Sequence, residues 1–115
     1  MVNAGVLDDP RTGAPVVGFV ARRSAVKMRL LRQAGQASVV FRAEWEWVAV
    51  EGPVRVIDPD DLPGDLTADR LRQLLRDVFT AAGGTHDDWD EYDRVMAAEG
   101  RAAVLVEPRR ITPNG

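Results

Sequence analysis

The stretch that decides the fold is VGFVARRSAVKMRLL, residues 17–31, in which an apolar run passes directly into a basic one. Its first five residues are β-branched and aromatic enough to form a strand. From Ser24 the apolar residues recur at helical spacing and share one face. We therefore predict a strand, a basic turn and a short basic helix that ends at Gly35.

Positive charge is concentrated in the same region. Residues 1–57 hold eight Lys and Arg against five Asp and Glu, whereas residues 58–115 hold seven against thirteen. No acid lies between Asp9 and Glu44, although the chain as a whole has a net charge of −3. Seven cations fall in that interval: Arg11, Arg22, Arg23, Lys27, Arg29, Arg32 and Arg42. This distribution predicts that the first half of the chain binds an anion.

Composition limits the class of protein. The 115 residues, 45% hydrophobic and 29% charged, are typical of one globular domain spanning residues 1–115. No run is apolar enough for a membrane span and no secretory signal opens the chain, so we expect a cytoplasmic protein. The absence of cysteine excludes disulfides, a thiolate nucleophile and Cys-ligated metal sites.

The rest of the chain indicates strands followed by helices. Residues 5–21 predict a hairpin with its turn at 8–13, and we expect further strands at 37–42, 45–50 and 53–57. Thr67 is predicted to cap a helix that Gly83 closes, and Thr85 to cap a second helix that ends at Gly100. A last strand at 101–107 precedes a polar tail. This order predicts an α+β fold built on a small antiparallel barrel.

Three blocks, in this order, resemble the pyridoxamine 5'-phosphate oxidase-like family, and more narrowly its actinobacterial branch that uses coenzyme F-420. They are residues 17–31, ASVV at 37–40 and WVAVEGPVRV at 47–56, which is similar to a hairpin of that family. Residues 83–96 are similar to a helical insert of one subgroup. The resemblance implies a small antiparallel split β-barrel of the FMN-binding type, with a short basic helix and two helices in the second half of the chain. It also implies a helix and hairpin ahead of Gly5, where the sequence has four residues.

The resemblance also implies a cofactor site. Ser24, Lys27 and the N–H groups that open the basic helix would hold a phosphate, and Arg22, Arg23 and Arg29 would add contacts to an anionic tail. The residues expected along the deazaflavin ring are Phe19, Val20 and Ala21, mostly through their backbone groups. Trp45 and Trp47 share one side of a strand and would either wall the pocket or pack at a dimer interface.

The expected activity is hydride transfer between F-420 (8-hydroxy-5-deazaflavin) and an unidentified small molecule, performed by a homodimer. Because the cofactor supplies the hydride, no catalytic side chain is singled out. FMN is the alternative cofactor, and a non-catalytic cofactor-binding protein is the alternative function. A solvated basic turn remains open as the simpler interpretation. We expect no metal at His86 and its neighbouring acids, and no nucleic-acid partner, because five cations on one turn are a poor electrostatic footprint.

Overall fold

The computed structural model of the chain describes residues 4–22, 33–43, 46–60, 62, 64 and 66–114. These residues form an α+β fold of six strands and two helices. In chain order the elements are β1 (Gly5–Asp8), β2 (Pro15–Ala21), β3 (Gln36–Ala43), β4 (Glu46–Ile57), α1 (Ala68–Ala81), α2 (Trp89–Ala98), β5 (Ala102–Val106) and β6 (Arg110–Asn114). The predicted basic helix falls mostly on residues 23–32, outside the described residues; its predicted end, Gly35, has a left-handed φ of 65°. Neither α1 nor α2 has the length and apolar character of a bilayer-spanning segment.

All six strands belong to one antiparallel sheet, which is open rather than closed. The order across the sheet is β1-β2-β5-β4-β3, and β6 also pairs with β4. Within the described residues no pairing joins β1 to β3, so the closed barrel expected from the sequence is not formed. The sheet curls instead, since β3 and β5 approach each other although each pairs with β4.

One continuous strand, β4, replaces the two arms predicted at 45–50 and 53–57. Its first part pairs with β6 through Trp47–Glu51, and its last part pairs with β5 through Val54–Ile57, along the same edge. Between the two parts, a Cβ on Gly52 would lie 1.8 Å from the carbonyl oxygen of Glu107. Gly52 is therefore needed for the close approach of the chain that links β5 to β6, and it does not mark a hairpin turn.

Two further predictions are wrong in detail. The polar tail after Pro108 forms β6, because the hydrogen bond from Arg109 N–H to the carbonyl oxygen of Glu51, 3.0 Å, returns the chain to β4. The second helix is capped by Asp88 rather than Thr85, since the Asp88 carboxylate accepts a hydrogen bond from the Glu91 N–H at 3.1 Å. The first helix is capped by Thr67, as predicted.

The sheet separates two apolar clusters. The curled face encloses residues from β2, β3, β4 and β5, including Phe19, Phe41 and Val104. The opposite face is covered over β1, β2 and β5 by α1, and α2 packs against α1; Ile57 at the end of β4 belongs to the same cluster. Every residue of β5 is buried, because this strand contributes to both clusters. We call these two sides the curled face and the helix face.

Candidate functional site

The described part of the predicted cofactor site is the end of β2. Phe19 and Ala21 bury their side chains in the curled face, while Val20 packs toward α1 on the helix face. The three residues pair with β5 through Val104, Ala103 and Ala102. Since β1 pairs with β2 only as far as Gly18, no strand among the described residues pairs with the other edge of residues 19–21. Backbone N–H and C=O groups on such an edge can bind a planar ligand.

Arg22 follows directly and is exposed. It is the first cation of the basic segment, and it leaves the sheet at the end of β2 that lies beside the start of β5. The other predicted phosphate contacts, Arg23, Ser24, Lys27 and Arg29, lie outside the described residues, as does Trp45. The structure therefore describes how the chain enters the basic segment, and the phosphate contacts themselves stay predictions.

Trp47 lies on another part of the sheet. It is directly opposite Arg42 on β3 and Asn114 on β6, near the start of β4, with 38% of its surface exposed. Val20, in contrast, is level with Ile57 at the far end of β4, because both pair with Ala103. Strand pairing thus does not bring Trp47 next to residues 19–22, and its side chain is displayed on the part of the helix face that the described helices leave uncovered.

An ion pair that was not predicted joins the β1–β2 turn to β4. The guanidinium group of Arg55 donates to both carboxylate oxygens of Asp9 at 2.8 and 2.9 Å, and the Arg11 N–H donates to one of them at 2.8 Å. Burial works to raise the pKa of Asp9, but the hydrogen bonds from Arg11 and Arg55 outweigh it and lower the pKa below its usual value. The partners are 46 positions apart, so no local sequence signal marks them.

A second charged network joins the two helices. The Arg76 guanidinium donates to both oxygens of Asp93, and Arg72 lies 3.8 Å from the same carboxylate. The hydrogen bonds from Arg76 lower the pKa of Asp93, against a smaller opposing effect of burial. Beneath them the Tyr92 hydroxyl donates to the carbonyl oxygen of Leu75 at 3.1 Å, and burial raises the pKa of Tyr92. These contacts fix α2 against α1.

His86 belongs to an aromatic cluster. Its ring lies 5.7–6.4 Å, centroid to centroid, from the rings of Phe79, Trp89 and Tyr92, and its Nδ1 accepts a hydrogen bond from the Asp88 N–H at 3.1 Å. Within the described part of the chain, no group of three or more His, Asp and Glu residues is arranged to hold a metal ion. His86 therefore packs at the start of α2.

Comparison with known proteins supports the fold. No protein-family profile matches the chain. Among solved structures it is similar to the conserved hypothetical protein Rv2991 from Mycobacterium tuberculosis, with a TM-score of 0.53 and 14% sequence identity. The alignment covers 96% of this chain and 74% of Rv2991. A likeness at this identity shows a shared fold over almost the whole chain.

Proposed function

We propose that this protein is a split β-barrel oxidoreductase that binds F-420 and transfers a hydride between the deazaflavin and a small molecule. The observation that carries the proposal is the position of the basic segment. It begins at exposed Arg22, directly after three residues of β2 that have one unpaired edge among the described residues. The curled antiparallel sheet and the likeness to Rv2991 are consistent with a split barrel.

The residues of this region suit a ligand with a flat ring and an anionic tail. No described strand pairs with one edge of Phe19–Ala21, so its backbone donors and acceptors can face the ring, while the side chains of Phe19 and Ala21 are buried in the curled face. Arg22, Arg23, Ser24, Lys27 and Arg29 then follow within eight residues without any acid to neutralise them. Several fixed cationic donors are what a phosphate requires.

The chemistry divides between cofactor and protein. Reduced F-420, when bound, supplies the hydride, and a proton from solvent completes the reduction of an unsaturated or quinone-like acceptor. The protein has to bind both molecules, orient them and exclude water between them. The proposed enzyme is a homodimer, in which the exposed face around Trp47 is the surface available to the second subunit.

Two alternatives keep the same site. FMN also presents a ring and a phosphate, so the residues named above would serve it equally. A non-catalytic cofactor-binding protein is favoured by one observation: of the four described residues 19–22, only Arg22 offers a polar side chain. Binding and turnover therefore need separate tests.

Binding is tested by titrating the protein with F-420 and, separately, with FMN while following fluorescence. F-420 should bind more tightly, and Lys27→Ala should weaken binding by about 10- to 100-fold, the effect of losing one charge-assisted hydrogen bond of about 1.5–3 kcal/mol. Arg70→Ala is the matched control, because Arg70 is an exposed cation in the first turn of α1 and should leave affinity unchanged. Equal loss in both variants, or no binding of either cofactor at tens of micromolar, would contradict the proposal.

Lys27 also allows a direct test of contact, since it is the only lysine in the sequence. Acetylation with a lysine-reactive reagent, followed by mass spectrometry, should be slower at Lys27 when the cofactor is present. Turnover is measured next, as oxidation of reduced F-420 in the presence of quinone acceptors; tight binding without oxidation would favour the non-catalytic alternative.

A further inference from the structure

A groove runs between α1, α2 and the loop that follows β4. Its volume is about 330 Å³, and its floor is apolar: Leu62, Leu71, Leu75 and Met96. Leu71 and Leu75 are buried core residues of α1, whereas Leu62 and Met96 are half-buried. A concave apolar surface of this size, with a few charged groups at its rim, has the character of a small-molecule site.

Among the described residues that line the groove, the charged groups are not balanced. The two acids that line the groove, Asp69 and Asp93, both contact guanidinium groups: Asp69 pairs with Arg72 and Asp93 with Arg76. Arg94 also lines the groove and is exposed, and no hydrogen bond or ion pair occupies it within the described residues. The charge that these described residues leave to meet a ligand is therefore positive.

From this combination we infer that the groove binds a small amphipathic monoanion, whose aliphatic chain lies on the leucine and methionine floor and whose carboxylate contacts Arg94. The volume supports a ligand of about ten non-hydrogen atoms, at about 30 Å³ for each water-sized group. A carboxylate of eight carbons has this size. A longer chain would extend beyond the floor into solvent.

Arg101 is a further cation among the described residues that line the groove. Its guanidinium is held by Glu99 at 3.0 and 3.3 Å, on the chain that links α2 to β5. Only 21% of the Arg101 side chain is exposed, so its position is fixed more firmly than that of Arg94. Because Glu99 pairs with Arg101, Arg94 is the cation that makes the direct contact.

The inference is tested with three probes that share an eight-carbon chain: octanoate, 1-octanol and octylammonium. Binding is followed by NMR on protein labelled at the methyl groups of leucine and methionine. We expect octanoate to bind most tightly and octylammonium most weakly, with shifts concentrated at Leu71, Leu75 and Met96. Equal affinity for all three probes would overturn the role of charge, and shifts spread over residues remote from the groove would overturn the site.

Four variants separate the groove from the rest of the surface. Arg94→Ala should weaken octanoate by about three- to tenfold and leave octanol unchanged, as expected for loss of one exposed ionic contact. Arg70→Ala is its matched control and should have no effect. Ala97→Trp should prevent binding of both, because Ala97 lines the groove, whereas Ala98→Trp, on the neighbouring exposed position outside it, should not.

The result is independent of the proposed cofactor site. Lys27→Ala should leave octanoate binding unchanged, so failure of one proposal does not carry over to the other. If Lys27→Ala weakens octanoate as much as Arg94→Ala does, the carboxylate binds to the basic segment and the groove is not its site. Circular dichroism of Ala97→Trp checks that the helices are retained. If this variant does not fold, the effect of Arg94→Ala on octanoate binding still tests the inference.

Discussion

The curled face and the helix face are both buried, but they are built differently. Within the described residues, the curled face is closed by strands alone, and the side chains it encloses, such as Phe19, Phe41 and Val104, are apolar. On the helix face, the Arg76–Asp93 pair joins α1 to α2, and the Asp9–Arg55 pair joins the β1–β2 turn to β4. The difference indicates that apolar packing and strand pairing hold the curled face together, whereas the helix face also depends on ionisation.

The largest expected effects come from truncating one large side chain on each face. Phe41→Ala on the curled face should lower the free energy of unfolding by about 3–5 kcal/mol, and Leu74→Ala on the helix face by about 2–5 kcal/mol. Both side chains are buried, Phe41 at 6% and Leu74 at 3% exposure, so each substitution leaves a cavity. Urea unfolding measures both. A loss below about 1 kcal/mol for Phe41→Ala would show that the curled face is not a packed core.

Substitution of two glycines tests two close backbone contacts, that of β4 with the chain after β5 and that of β1 with the end of α1. Gly52→Ala would place a Cβ 1.8 Å from the Glu107 carbonyl oxygen, and Gly5→Ala would place one 2.2 Å from that of Ala81 in α1. Because backbone has to move in both cases, we expect losses of about 1–3 kcal/mol or more. Gly64→Ala is the control, since no atom of the described chain lies within 4 Å of its Cβ. If Gly52→Ala matches the control in thermal unfolding, the link between β5 and β6 is looser than this contact requires.

These two faces also differ in how far the sequence predicts them. The stripe of Leu71, Leu74, Leu75 and Val78 identifies α1 and its buried side, because helical spacing is a local signal. The hairpin of β1 and β2 is likewise predicted by its turn residues. Both predictions are confirmed, with small differences at the boundaries.

Local sequence signals do not predict the curl of the sheet. Gly52 and Pro53 indicate a turn by their residue types, yet they lie inside β4, because the approaching chain at Glu107 decides the conformation there. Strand β6 has little strand character of its own and exists through its pairing with β4. For the candidate site, the acid-free basic segment is visible in the sequence, whereas Arg94 becomes notable only because its groove is formed by three distant segments.

Lowering the pH should weaken the helix face more than the curled face. The pKa values of Asp9 and Asp93 are lowered in the folded protein, so their contribution is fully present above about pH 4, the ordinary pKa of aspartate, and is lost as the pH falls through the folded values. Hydrogen exchange between pH 5 and pH 3 should therefore show earlier loss of protection in α2 and in the turn between β1 and β2 than in β3. Equal loss in both regions would contradict the contrast between the faces.

The contribution of Asp9 to this pH dependence of stability can be measured with one substitution. Asp9→Asn should cost about 1–3 kcal/mol at pH 7, because it removes a charged acceptor from Arg55, whose buried Nε has no hydrogen bond in the described part of the chain. The difference from the wild type should shrink as the pH falls below about 4, where Asp9 itself becomes protonated. Asp87→Asn is the control, since its carboxylate makes no hydrogen bond or ion pair within the described residues. A pH-independent difference would mean that the substitution disturbs packing rather than charge.

The smallest expected effects concern the helix caps, which lie on the helix face. Thr67→Ala and Asp88→Ala should each lower the free energy of unfolding by about 1 kcal/mol, because each side chain accepts a hydrogen bond from an N–H of its helix. Thr85→Ala should change stability by less than about 0.5 kcal/mol, since α2 begins four residues later and Asp88 caps it in place of the exposed Thr85. Chemical denaturation of the three variants measures the free energy of unfolding of each. If Thr85→Ala costs as much as Asp88→Ala, α2 extends back to Thr85, and His86 then packs inside the helix rather than before it.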